Sequence, residues 1–529
     1  MYPHTEFPPR AFPDTVDAAI RLASAGSLPA LGLGLGLGVA FKKVGATYGS
    51  FDAAWKAALR SPVGVDAQRL VGFFQSNTGS LMVLLAGVGL LWLVQRWVKR
   101  ERTFLIDLEC FSNVPELSVP YETFERQSRR KKCFSADAMD FQMRMLNKSG
   151  VANETMFPPA LQTDPPEPSM ASAREEAETV LFSCVENLLK KTGMKARDID
   201  VLVVNCSLFN PTPSLSAMII NKFKMRTNIE SYNLGGMGCS AGPISIGLAK
   251  RLLGSLNRGG YALVVSTENI TQNWYQGNER SMLIPNTIFR MGGAAMLLTN
   301  KKTEASRSLY ELEHVVRVHL GAQDDAFRCV YQHEDADKKI GVELNKDLVN
   351  VAARALEVNL TKMGPLVLPL GEKLAFAANW IARKVFAAKL QPYIPRFNKA
   401  FDHFCLHAGG RAVVTGLSRQ LNLSEDKMAP SANALHWYGN TSSSTVWYSF
   451  SWIETVQGVA KGERVWQVAF GSGFKCNSCV WRALKNIKRE HGAWKHIAGQ
   501  ETRAVETIIK IEEESRLERA KKAKAEETK

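Results

Sequence analysis

The chain has 529 residues, 45% of them hydrophobic and 22% charged. That balance supports several folded units around a large buried core, and excludes pervasive disorder, a collagen-like repeat and a disulfide-stapled miniprotein. Lysine and arginine number 66 against 51 acidic residues, a formal charge of +15, which points to an anionic partner: nucleic acid, a membrane surface or a phosphate-bearing small molecule.

Two apolar stretches open the chain, Leu28–Phe41 and Ser80–Val94. Each reaches the ~20 residues of a spanning helix only with polar flanks, which gives membrane segments at about 22–41 and 72–94. The first has glycine at alternate positions from Gly32 to Gly38, and glycine is commoner in membrane helices than in soluble ones. It starts far from Met1 and lacks a basic leader, unlike a signal peptide. A buried core helix or a re-entrant segment is the alternative. Trp92 and Trp97, followed by Lys99, Arg100 and Arg102, read as an interfacial belt. Cations flank both sides of the second segment, so charge bias sets no orientation. Two spans place Met1 and the main body on one side. Nine irregularly spaced cysteines read as reduced thiols and favour the cytosol for that side.

Residues 101–173 form a membrane-proximal connecting region. It holds a strand-like run (TFLIDLEC), a charged helical stretch and a Pro-containing linker at 161–169. An α/β pattern follows. The spacing predicts a helix over 174–192, strands at 200–205 and 229–234, a helix over 240–253, and strands at 261–266, 294–299 and 311–320. A helical stretch at 371–390 precedes a second set: a strand at 401–406, a helix from Arg411, a serine-rich turn into a helix over 441–458, and a strand at 464–470. The halves are 174–370 and 371–485. The charged tail, 486–529 with its onset near Arg482, reads as a solvated helix.

Three motifs bear chemistry. In Tyr232-Asn-Leu-Gly-Gly-Met-Gly-Cys239-Ser-Ala-Gly242 a strand ends, glycines turn the chain and a helix begins beside a cysteine. The positive end of that helix is expected to lower the pKa of Cys239; an inert cysteine in a tight turn is the plainer reading. In His403-Phe-Cys-Leu-His407-Ala-Gly-Gly-Arg411 a strand runs into a Gly-Gly turn, placing His407 as a base or donor. His403 and His407 are four apart, a spacing that suits metal ligands on a helix, but the flanks read as strand and no carboxylate completes a set. Asn440 in His436-Trp-Tyr-Gly-Asn440-Thr-Ser precedes a helix, where capping is its default role. Gly471-Ser472-Gly473 follows a strand and offers N–H groups to an oxyanion. The single CxxC, Cys476 and Cys479, lacks the second pair of a zinc site.

The order Cys, His, Asn resembles the thiolase superfamily. The strings NCSLFNPTPSLSAMIINKF (205–223), NWYQGNERSMLIPN (273–286), FRMGGAA (289–295), GPLVLP (364–369), HAGGRAV (407–413), GNTSSS (439–444) and FGSGFKCNS (470–478) resemble the plant-type 3-ketoacyl-CoA synthases of fatty acid elongation, over about residues 101–485. Thr445 stands where that family usually has a further serine. The resemblance implies an α/β fold of two thiolase-like halves in a layered αβαβα core, preceded by two transmembrane helices. It puts the nucleophile on Cys239 and the catalytic histidine and asparagine on His407 and Asn440. His319, His403 and His436 are supporting positions. The Gly471–Gly473 loop is an oxyanion candidate. Lys222, Lys224 and Arg226, and separately Arg280, are candidates for CoA phosphates, against a solvated helix face as the alternative.

The implied reaction joins an acyl-CoA to malonyl-CoA with loss of CO2, without metal or redox cofactor. The implied setting is the endoplasmic reticulum membrane with the catalytic region facing the cytosol. Implied partners are membrane lipid, a second copy in a homodimer, and the reductase, dehydratase and enoyl reductase of elongation; no motif supports nucleic acid. A type III polyketide synthase and a catalytically silent elongase subunit are the competing readings.

Overall fold

The computed structural model describes residues 102–527 except 131, 132, 164, 165 and 388, together with Gly87 and Gly89. The membrane segment expected at 22–41, and all of that at 72–94 apart from those two glycines, lies outside the described residues. Among the described residues no helix is long and apolar enough to cross a membrane. Residues 102–529 form a compact unit of their own.

Its strands are β1 (Phe104–Cys110), β2 (Val201–Asn205), β3 (Glu230–Leu234), β4 (Tyr261–Thr267), β5 (Gly293–Thr299), β6 (Tyr310–His319), β7 (Val330–Glu334), β8 (Ile340–Leu344), β9 (His403–Leu406), β10 (Arg464–Gly471) and β11 (Lys475–Ala483). β7 and β8 make a separate hairpin, and the other strands run β3-β2-β4-β5-β1-β6-β11-β10-β9. Only Phe104 with Glu311 and Leu105 with Tyr310 join β1 to β6. That narrow seam divides the sheet into two halves.

Two helices fill the space between the halves. Helix Ala241–Ser255 packs on β2 and β4 from one half and on β10 and β11 from the other, and helix Thr445–Trp452 packs on β1, β9 and β10. Every residue of Thr445–Trp452 is buried, as suits a helix that is apolar or hydrogen-bonded all round. Helix Met170–Thr192 covers β5, β1 and β4 on one outside, and Leu348–Val367 covers β6 and β11 on the other. The result is the expected αβαβα layering. β11 lies between two cores: Cys476 faces Phe470 and Phe474, while Cys479 faces the cluster that holds Trp481. Residues three apart on a strand point to opposite faces, so the CxxC pair cannot share one ligand. None of the nine cysteines forms a disulfide among the described residues.

Helix Leu348–Val367 and helix Glu425–Tyr438 are absent from the sequence reading, and each contains a proline, Pro365 and Pro430. Proline removes a donor and reads as a breaker. In the second helix the Asp426 carbonyl, which a residue 430 N–H would otherwise meet, accepts instead from Gln457 Nε2 at 2.9 Å. The tail also departs from expectation. Arg482 lies within β11, and the final helix begins only at Arg503. Ala504, Val505 and Ile508 are buried, and Glu512 pairs with Arg411 and Arg419. The start of this helix is therefore docked on the domain rather than solvated.

Candidate active site

Cys239 stands between the end of β3 and helix Ala241–Ser255. Gly236 and Gly238 turn the chain there with φ of 65° and 69°, a region that favours glycine. Gly238 also admits the opposite loop: a Cβ on it would lie 2.4 Å from the Ser472 backbone nitrogen. The Gly471–Gly473 hairpin turn therefore packs directly on the cysteine turn. The helix end does not lower the thiol pKa as expected. Burial pushes Cys239 up to about 12, Ser442 opposes this through its hydroxyl, and the Glu268 charge adds to it. Desolvation of a thiolate outweighs a partial dipole charge.

His407 directly follows β9 and is buried, and its Nδ1 has no partner among the described residues. Burial pushes its pKa down to about 4, so the ring is neutral at pH 7. The ring lies over Gly409, where a Cβ would fall 2.9 Å from His407 Nε2. Asn440 Nδ2 donates to the carbonyl of that same Gly409 at 3.3 Å. The Ser442 N–H donates to Asn440 Oδ1 at 2.8 Å, which fixes the amide orientation. Gly409 thus brings the two side chains together.

Ser442 then links the asparagine to the cysteine. Its Oγ lies 3.4 Å from Cys239 Sγ and 2.9 Å from Glu268 Oε2. Its backbone is left-handed, φ 57°, which a non-glycine residue adopts at a cost. Glu268 is buried just past the end of β4, accepts also from the Leu208 N–H at 3.0 Å, and has its pKa raised by burial. The two central helices meet at this point: a Cβ on Gly242 would lie 2.7 Å from the Ser443 carbonyl oxygen. Beneath Asn440, the buried Arg290 packs 4.2 Å from the Phe157 ring centroid and donates to Thr155 Oγ1 at 2.9 Å. Glu268, Ser442 and Arg290 were not singled out in the sequence. The available signal for Glu268 was its place after β4, since sites of α/β sheets form at the carboxyl ends of parallel strands.

The remaining candidates divide. His319 ends β6 beside Gly473, whose Cβ would meet its Cε1 at 3.7 Å, so it borders the loop at the site. His436 is held by the Gly150 carbonyl at 2.8 Å and braces the helix that leads into Asn440. His403 does not join the site. It precedes His407 by four strand residues, ~13 Å, and is engaged by Glu463 at 3.0 Å and Gln457 at 3.1 Å. Lys222, Lys224 and Arg226 precede β3, at its end opposite Cys239, and Arg226 is paired with Asp200 at 2.5 Å. Arg280 starts helix Arg280–Ile288, whose other end meets Asn440 through the Ile288 carbonyl. The site therefore gathers Cys239, His407, Asn440, the glycine loop and His319, and leaves His403 and the Lys222–Arg226 cluster outside.

Residues 95–385 match the FAE1/type III polyketide synthase-like family, and residues 398–483 match the C-terminal part of 3-oxoacyl-[acyl-carrier-protein] synthase III. The 3-ketoacyl-CoA synthase 2 of Arabidopsis thaliana is 56% identical over 390 residues, 73% of this chain and 74% of its own. The chain belongs to the 3-ketoacyl-CoA synthase family. The 3-ketoacyl-CoA synthase 4 of the same plant is 50% identical over 423 residues, 80% of this chain and 82% of its own. Among solved structures, CsyB complexed with CoA-SH superposes with a TM-score of 0.58 at 17% identity, covering 72% of this chain and 100% of its own. ORAS, a fungal type III polyketide synthase, gives 0.54 at 17% identity, covering 72% of this chain and 99% of its own. At that identity the two structures speak for the fold alone.

Proposed function

We propose that this protein condenses malonyl-CoA with a long-chain acyl-CoA, through an acyl group held on Cys239, in very-long-chain fatty acid elongation. The observation that supports it most is the meeting of the cysteine turn, the asparagine turn and the Gly471–Gly473 loop, with Gly242 against Ser443 and Gly238 against Ser472. Identity of about half to 3-ketoacyl-CoA synthases favours this reading over a polyketide synthase.

In the first half-reaction the Cys239 sulfur attacks the acyl thioester. The C–S bond to CoA breaks, and the thiol proton ends on the departing CoA. A resting thiol with so high a pKa needs a proton acceptor at that moment. Ser442, in contact with both Cys239 and Glu268, and neutral His407 are the groups available. Backbone N–H groups of Cys239 and of the glycine loop receive the developing oxyanion. In the second half-reaction malonyl-CoA loses CO2. Its thioester oxygen takes up negative charge as an enolate, and neutral donors from His407 and Asn440 stabilise it. Burial keeps His407 neutral, so it donates without a fixed charge to desolvate. The enolate carbon attacks the acyl thioester, the bond to Cys239 breaks, and the thiolate regains one proton. Net, one proton is consumed, and CO2, CoA and the lengthened 3-ketoacyl-CoA leave.

We place this activity at the endoplasmic reticulum membrane, through the apolar segments at 22–41 and 72–94, with the catalytic unit facing the cytosol. A homodimer and the reductase, dehydratase and enoyl reductase of elongation complete the proposed assembly. Incubating membrane fractions with radiolabelled malonyl-CoA and a panel of acyl-CoAs tests the reading. Label in 3-ketoacyl product with wild type, and none with Cys239→Ala, supports it. Label in cyclised polyketides, or no product from any primer with correctly inserted protein, overturns it.

A further inference from the structure

Helix Leu370–Lys384 inverts the usual pattern of burial. Of its fifteen residues only Glu372 is buried. That carboxylate accepts from the Tyr393 hydroxyl at 2.6 Å and the Arg396 N–H at 3.0 Å, and pairs with Lys399 at 3.2 Å. These contacts pin one face of the helix to the returning chain. Leu370, Leu374, Ile381 and Val385 are spaced by four, seven and four residues. That spacing puts them in one stripe, with Glu372 on the opposite side. All four are exposed, Leu370 to 71%. Past the helix Phe386 is 75% exposed. A contiguous patch of large apolar residues on a folded surface marks an interaction site.

Charge chooses the occupant. Between residues 370 and 396 Glu372 is the single acid, and it faces inward; Lys373, Arg383, Lys384, Lys389 and Arg396 are the bases. Lys373 and Lys384 each immediately precede a stripe residue, so both border the apolar stripe on the same side. A second copy of the chain would set this row of cations against itself. An apolar stripe bordered by bases is the arrangement of a helix that lies in the plane of a bilayer interface, its bases at the headgroups and its apolar face among the acyl chains.

We propose that the stripe from Leu370 to Val385 seats the catalytic unit on a lipid surface that carries anionic headgroups. This inference rests on exposure and charge, and is independent of the condensing chemistry. Each cation near such a surface strengthens binding roughly fivefold, so the contact depends on lipid charge.

The full chain, with a photoreactive phenylalanine at Leu374 or at Ile381, is reconstituted into vesicles of phosphatidylcholine alone or of equal parts phosphatidylcholine and phosphatidylserine. Because each probe reports only its own surroundings, the apolar segments of residues 1–101 do not confound it. The same probe at Met170, exposed at the start of the helix that covers β5, β1 and β4, is the reference. The expected result is lipid adducts at Leu374 and Ile381 but not at Met170, several-fold more abundant with phosphatidylserine and reduced to the neutral-lipid level by Lys373→Glu with Lys389→Glu. Four outcomes overturn the proposal: adducts to a second copy of the chain, adducts to residues 1–101, lipid adducts equal at all three positions, or no adduct at Leu374 and Ile381.

Discussion

The two central helices occupy equivalent places yet reach their active ends by different means. Ala241–Ser255 is approached through glycines, with Gly236 and Gly238 supplying positive φ and Gly242 supplying room. Thr445–Trp452 is approached through Gly439, Asn440 and a serine turn in which Ser442 itself takes the left-handed conformation. The first approach clears space around Cys239, the proposed nucleophile, so that the Gly471–Gly473 loop can come close. The second uses side-chain and backbone hydrogen bonds to hold a donor in one orientation, Asn440 Oδ1 on the Ser442 N–H and Asn440 Nδ2 on the Gly409 carbonyl. In the proposed mechanism one layer of the fold thus supplies both a site of bond formation and a site of charge stabilisation.

Changes that separate the two ends sharpen this contrast. Removal of the nucleophile has the largest expected effect: Cys239→Ala lowers condensation by roughly 10⁴-fold or more and abolishes the acyl-enzyme, as read by radiolabelled acyl-CoA on gels, while thermal stability stays near wild type. Asn440→Ala and His407→Ala are each expected to cost ~10²–10³ in rate. Acyl transfer to Cys239 survives in Asn440→Ala, and loss of acyl-enzyme formation there as well would break the division of labour.

Gly242→Ala tests the meeting of the ends. Its Cβ would face backbone, the Ser443 carbonyl at 2.7 Å, which cannot swing aside. The expected cost is ~1–3 kcal/mol of stability, measured by denaturant melts of the detergent-solubilised chain. An unchanged midpoint would show that the helices part more easily than their burial suggests.

Acid stability probes the neutral histidine. His407 is pushed from the ordinary 6.5 down to about 4, so the unfolded chain binds the extra proton between those values. Its contribution is intact above pH 6.5 and is lost as the pH falls through this window, at up to ~1.4 kcal/mol per pH unit. Glu176, which burial holds up to about 7, works in the opposite direction. The readout is therefore the difference between wild type and His407→Gln, which narrows as the pH drops from 6.5 to 4 if His407 is buried neutral. The smallest effect expected is that of Ser442→Ala. It removes one hydroxyl from the Cys239–Glu268 contact, costs ~1 kcal/mol, and slows acylation of Cys239 more than decarboxylation in single-turnover assays.

Much of this was legible in the residues. The parallel strands β2, β3 and β4, the turn at Cys239, the end of β9 at His407 and the helix after Asn440 all followed from apolar runs broken by glycine. Helices 348–367 and 425–438 were hidden, because an internal proline reads as an end and a tertiary donor such as Gln457 is invisible in the local pattern. The charged tail looked solvated because its bases and acids outnumber its apolar residues, although the few that matter, Ala504, Val505 and Ile508, lie in its first turns.

Local sequence therefore determined most of the elements and the turns that carry Cys239, His407 and Asn440, since backbone geometry acts over a few residues. Tertiary structure decided which of the candidates meet. His403 opens β9 and His407 directly follows it, but only the latter lies beside Gly409 and Asn440. Burial raises the Cys239 pKa where its neighbours in sequence had suggested the reverse, because desolvation depends on everything packed around the sulfur. Glu268 joins the site through Ser442, a residue 174 positions away, and a contact over that distance exists only once the two halves have closed on their shared helices.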